Sequence, residues 1–140
     1  MAEYTNAALQ VVAAGQNVTF GEEPVCGSRC IVHRDGSGIV TLRGITDQCR
    51  ARYLAVFGAN ISIPTGGTVE EISVALAVDG EPLASAVAIV TPAAADEFFN
   101  VTVFALVDVP KGCCSTISVE NTSTQPINVQ NARLIVKREA

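Results

Sequence analysis

Val69-Glu-Glu-Ile-Ser-Val-Ala-Leu-Ala-Val78 alternates apolar and polar side chains and runs directly into Asp79-Gly80. Side chains of an extended chain point to opposite faces in turn, so Ile72, Val74, Leu76 and Val78 share one face and predict a strand with one buried side. Asp-Gly is a strong signal for a two-residue hairpin turn, so a partner strand is expected from Leu83 through residues 86–90.

The same period extends on both sides of this stretch. Residues 50–63 place Tyr53, Ala55, Phe57, Ala59, Ile61 and Ile63 on one side and stop at the Pro64-Thr-Gly-Gly67 turn. Residues 98–109 carry Val101, Val103, Ala105, Val107 and Val109 on one face, Phe104 and Leu106 on the other, and end at Pro110-Lys-Gly112. A strand apolar on both faces is expected to be covered on both, either by a second sheet and a subunit contact or within a crowded core. Shorter strands are predicted over residues 8–13, 17–20, 39–43, 114–121 and 127–136, with a bulge or sheet switch at Gly15. Residues 1–7 read as a loose arm, residues 22–38 as a loop, and residues 92–97 as a loop or one helical turn. The sum is an all-β chain, an antiparallel jelly-roll sandwich of about eight strands. Residues 1–20 form its N-terminal arm and first strands, and residues 21–140 its body, within one domain.

Composition narrows the function. Hydrophobic residues are 49% of the 140, yet aromatics are only 5% and Trp is absent, so the core must use small and β-branched side chains. Charged residues are 16%, few to keep a monomer's surface wet, so part of that surface is expected to lie against other copies. A net charge of −5 with scattered Lys and Arg speaks against a nucleic-acid partner. With no run of about 18 apolar residues, membrane insertion is not expected either. The opening residues carry no basic region, and the apolar stretch after them is broken by Gln10 and Gly15, so no secretory leader is expected.

Cys26, Cys30, Cys49, Cys113 and Cys114 are numerous for a cytosolic β domain, and their odd count leaves at least one unpaired within the chain. They are disulfide candidates, the preferred pairing tying the loop of Cys26 and Cys30 to Cys49 and to the Cys113-Cys114 turn. Disulfides without a leader fit proteins made in the cytoplasm and released by lysis, such as virion components and spore coats. Reduced thiols, a bond to another subunit, and zinc held by Cys26, Cys30 and His33 with Cys49 and the Cys113-Cys114 pair are the alternatives; the spacing matches no familiar finger, and no metal is assigned. His33, the only histidine, sits beside Arg34 and Asp35 and reads as an exposed loop residue, so no catalytic residue and no cofactor are assigned. The acid pairs Glu22-Glu23, Glu70-Glu71 and Asp96-Glu97 read as solvated, because neighbours on a strand face opposite ways. Asn-x-Ser/Thr triplets begin at Asn17, Asn60, Asn100 and Asn121 and read as strand-end composition.

Several runs together resemble the tumour-necrosis-factor and complement-C1q superfamily of jelly rolls. They are Gly38-Ile-Val-Thr-Leu42, Tyr53-Leu-Ala-Val-Phe-Gly-Ala-Asn60, Ile72-Ser-Val-Ala-Leu-Ala-Val-Asp-Gly-Glu-Pro82, Phe99-Asn-Val-Thr-Val-Phe104, Val107-Asp-Val-Pro-Lys-Gly112, Ile117-Ser-Val-Glu-Asn121 and Ala132-Arg-Leu-Ile-Val136. The resemblance covers residues 35 to 136 and is greatest to bacterial members such as the C-terminal domains of collagen-like exosporium glycoproteins. It implies a homotrimer with both termini near one end and apolar strand faces on a three-fold axis. Two departures stand out: no Gly-X-Y stalk precedes the domain, and the cysteines are unusual.

The expected function is therefore a non-enzymatic, self-assembling display protein on a virion, as a decoration or head-fibre protein, or on a bacterial or spore surface. Its partners are expected to be itself and a capsid or surface-layer protein, with Tyr53, Phe57, Phe99, Phe104 and Leu106 as interface candidates. One alternative is a carbohydrate- or receptor-binding module using residues 22–38 and 91–97. Another is a disulfide-linked filament subunit whose residues 1–20 augment a neighbour's sheet.

Overall fold

A computed structural model describes residues 1–140. The chain forms eleven strands: β1 Ala2–Asn6, β2 Gln10–Val12, β3 Glu22–Val25, β4 Ile31–His33, β5 Val40–Arg43, β6 Arg50–Ser62, β7 Ile72–Val78, β8 Glu81–Val90, β9 Phe99–Pro110, β10 Cys114–Asn121 and β11 Ile127–Arg138. They build two antiparallel sheets. One runs β3-β1-β11-β6-β9, with β2 also pairing β11, and the other runs β4-β5-β10-β7-β8.

Local chemistry explains the turns. Asp79 and Gly80 both take positive φ, 53° and 84°, the pair of left-handed residues that a tight hairpin between twisted strands requires. The Asp79 carboxylate also accepts the Thr116 N–H at 2.9 Å, holding this turn against β10. Between β9 and β10 the chain reverses at Pro110-Lys-Gly112, where the Cys113 N–H donates to the Pro110 carbonyl at 3.0 Å.

The sheets face each other across one continuous core of 31 buried apolar residues. On the inward face of β6, Ala51, Ala55 and Ala59 alternate with Tyr53, Phe57 and Ile61, all wholly or almost wholly buried. From the other sheet come Val40, Leu42, Ile72, Val74, Ile117 and Val119. Phe20 meets Phe57 edge-on at 6.3 Å, the favoured aromatic geometry. Burying each such large side chain stabilises the fold by about 1.5–3 kcal/mol.

Several elements depart from the sequence-based expectation. Residues 1–7 are not a loose arm: β1 lies between β3 and β11, with Ala2 and Tyr4 buried. Ala2 pairs with Val136, so the two chain ends leave the sheet side by side. The loop of residues 22–38 contains β3 and β4, one at the edge of each sheet. Residues 17–20 form only a bridge from Asn17 to Glu120 rather than a strand, and residues 92–97 contain no helix. β1 inside one sheet and β3 and β4 at the edges raise the count from about eight to eleven.

Asn121 pins the far end of the core. Its side chain is fully buried, its Nδ2 donates to the carbonyls of Val12 (2.9 Å) and Gln125 (3.0 Å), and its Oδ1 accepts the Ser123 N–H (2.9 Å). Asn121→Ala orphans the buried Val12 carbonyl, the part-buried Gln125 carbonyl and one N–H, and is expected to cost about 2–4 kcal/mol. Urea unfolding of the variant measures this, and a loss under half a kcal/mol would refute it.

Candidate functional site

β6 pairs residue by residue with β9 from Arg50↔Pro110 to Ile61↔Phe99, and with β11 on its other side. This register fixes which side chains leave the sandwich. Leu54 sits opposite Leu106, Val56 opposite Phe104, and Ile135 opposite Val56. Leu54, Val56 and Ile135 are half-buried, whereas Phe104 and Leu106 are 67% and 60% exposed. The result is an apolar strip across three strands on the outer face of the six-stranded sheet. Val101, Val103, Val107 and Val109 point inward and are buried, so β9 is covered on one face and open on the other within the protomer.

Charge and amide groups bound the strip. At one end Asp108 accepts a bidentate pair from Arg52, Nε at 2.7 Å and Nη2 at 3.0 Å, and Arg50 adds a contact at 3.0 Å. The Arg52 hydrogen bonds chiefly hold the Asp108 carboxyl below its ordinary value; burial opposes them, and the charges of Arg52 and then Arg50 add to the lowering. Arg133 pairs with Glu3 at 3.0 Å across β11 and β1. At the other end Asn100 Nδ2 donates to Asn60 Oδ1, and Asn60 Nδ2 to Asn131 Oδ1. With Gly58, Glu3 and Arg133 these amides line an open polar hollow. Asn131 is held at φ 57° beside the bulge between Gln130 and Arg133.

The interface candidates divide. Phe104 and Leu106 lie on the strip. Tyr53 and Phe57 do not: both are wholly buried, because they share the inward parity of Ala55 and Ala59. The Tyr53 hydroxyl is spent inside, donating to the Arg43 carbonyl at 2.6 Å. Phe99 opposes buried Ile61 and shares the inward parity of Val101, so its 37% exposure lies at the end of the sandwich, off the strip. Leu54, Val56 and Ile135, overlooked in the sequence, complete the strip; their signal was their parity, opposite to that of the aromatics.

All five cysteines are free thiols, so the expected bridges are not formed in this structure. Cys26, Cys49, Cys113 and Cys114 are exposed, and the Sγ of buried Cys30 accepts a hydrogen bond from Arg138 Nη1 at 3.2 Å. His33 corrects the reading as an exposed loop histidine. Its side chain has no exposed surface, and its ring lies 4.4 Å from that of Tyr4. The loss of exposure follows from the strand that residues 31–33 form.

No protein-family model matches the sequence, and no curated protein does. Among solved structures, the globular domain of zebrafish complement 1qA superposes with a TM-score of 0.66, covering 99% of this chain and 97% of that one at 13% identity. The fold is a C1q-like jelly roll. The C-terminal domain of EclA, a sugar-binding protein, aligns over 94% of this chain and 80% of its own at 16% identity, with a TM-score of 0.42.

The depressed Asp108 carboxyl predicts a sign. A carboxylate with a lower pKa folded than unfolded contributes stability above the unfolded value, ordinarily 3.8, and loses it as pH falls through the folded value. Carboxyl NMR should show Asp108 titrating below an ordinary aspartate, and Arg52→Ala should return it toward 3.8. No movement in Arg52→Ala would break the assignment.

Proposed function

We propose that the chain is a non-enzymatic structural module that assembles as a homotrimer through the outer face of its six-stranded sheet. It is displayed on a virion, as a decoration or head-fibre protein, or on a bacterial or spore surface, anchored by a capsid or surface-layer protein. The observation that carries this reading is the strip of Phe104, Leu106, Leu54, Val56 and Ile135 on a chain of low charge. An aromatic residue left two-thirds exposed beside aliphatic neighbours is stabilised by coverage, and a ring of ion pairs and amides is the usual rim of such an interface. Against catalysis, both nitrogens of the one histidine already face Glu23 and the Ser37 carbonyl, leaving no base beside a Ser or Cys nucleophile.

The polar hollow beside the strip favours a second reading, a carbohydrate- or receptor-binding module. Asn131 keeps its amide N–H groups and Asn100 its carbonyl unspent, the donor and acceptor types that sugar hydroxyls take. Glycan binding by a chain that stays monomeric would replace the assembly reading.

Light scattering at micromolar concentration should give three times the chain mass. Phe104→Glu or Leu106→Glu should shift the protein to monomer with its β circular dichroism intact, because both side chains are exposed. Ile89→Glu, at a residue 58% exposed on the other sheet, should leave the trimer unchanged. A monomeric wild-type chain would end the proposal.

A further inference from the structure

His33, the last residue of β4, closes the sandwich at the side opposite β9, where β3 and β4 are the edge strands of the two sheets. Its ring is packed between Tyr4, at 4.4 Å, and Phe20, edge-on at 6.5 Å. Nε2 lies 2.8 Å from the Ser37 carbonyl oxygen, which can only accept, so this nitrogen carries the proton. In the neutral ring Nδ1 then presents a lone pair, and what it faces is another acceptor, Glu23 Oε1 at 3.0 Å. A carboxylate oxygen of Asp35 completes a group whose three donor atoms lie within 4.8 Å of one another. Neither Glu23 nor Asp35 pairs with a Lys or Arg.

We infer that His33 Nδ1, Glu23 and Asp35 form a site for a divalent transition metal of the Zn²⁺ class, with water completing the shell. A buried imidazole nitrogen and two carboxylates that no Lys or Arg neutralises are the donor set such ions take, the ion replacing any proton held between Nδ1 and Glu23. Zn–N and Zn–O bonds of about 2.0–2.2 Å put two ligand atoms roughly 3.0–3.4 Å apart at right-angled to tetrahedral geometry. The 3.0 Å between Nδ1 and Glu23 falls at the lower end of that range, and the donor atoms, within 4.8 Å of one another, have to close around the ion. The Ser37 carbonyl does what the outer shell of a metal histidine does, fixing the tautomer and ring orientation by accepting the other N–H. A bound ion would join the edge of one sheet to the edge of the other.

The thiols of Cys26, Cys49, Cys113 and Cys114 are exposed and of a type that competes for zinc, and Cys26 lines the same hollow as His33 and Glu23. The test is therefore run on the full chain with those four cysteines changed to serine. Titration calorimetry with ZnCl₂ should give one ion per chain and a raised Tm. Asp35→Asn, at an exposed residue that cannot disturb the core, and Glu23→Gln should each weaken uptake by at least about tenfold. Histidine ¹⁵N NMR should move Nδ1 and leave Nε2 protonated. Any of three results would overturn the inference: no stoichiometric uptake, uptake indifferent to both carboxamide variants, or uptake already abolished by Cys26→Ser alone. A ring protonated on both nitrogens in the presence of excess Zn²⁺ would do so too, showing that a proton bridges Nδ1 to Glu23.

Discussion

β6 is hydrogen-bonded along its length to β9 on one side and to β11 on the other, so its pleat decides where most side chains of the six-stranded sheet point. On its inner face small and large residues alternate, and the rings of Tyr53 and Phe57 fill the spaces beside Ala51, Ala55 and Ala59. On its outer face the same pleat lifts Leu54 and Val56 against Leu106 and Phe104. A slip of one residue in this pairing would exchange the two faces, exposing the aromatics and burying Arg52. Core and strip are thus two sides of one register.

That dependence explains which parts of the fold were legible in the sequence. β6, β7, β9, β10 and β11 are long enough for alternation to be unmistakable, and Asp79-Gly80 marks its own turn by backbone preference alone. β1 is five residues, mostly polar, and becomes a strand only through pairing with residues 132–136 at the far end of the chain. β3 and β4 are four and three residues long, in a segment punctuated by Pro24 and Gly27, and local pattern cannot distinguish such pieces from loop. Gly27 itself marks a close approach: a Cβ there would run into the Ile31 carbonyl and the Tyr4 hydroxyl.

The candidate site was half legible for a similar reason. Phe104 and Leu106 announced themselves by standing on the wrong face of an otherwise one-sided strand. Tyr53 and Phe57 are large apolar side chains, but their parity with Ala55 and Ala59 places them inside. His33 looked exposed because Arg34 and Asp35 follow it, and only the folding of β3 against β1 brings Glu23 and Tyr4 around the ring. Long-range pairing carries that information, and a stretch of neighbouring residues does not.

The pairing of Ala2 with Val136 brings the beginning and end of the chain to the same pole of the sandwich, as adjacent rungs of one ladder. Connectivity is therefore separable from architecture here. A short linker could join residue 140 to residue 1, and the chain could be reopened at Asp79-Gly80, leaving every ladder in the sandwich with its original partner. In such a permuted molecule the new ends would emerge at the β7–β8 hairpin, so a fused cargo could be moved to another point on the surface without altering the apolar strip.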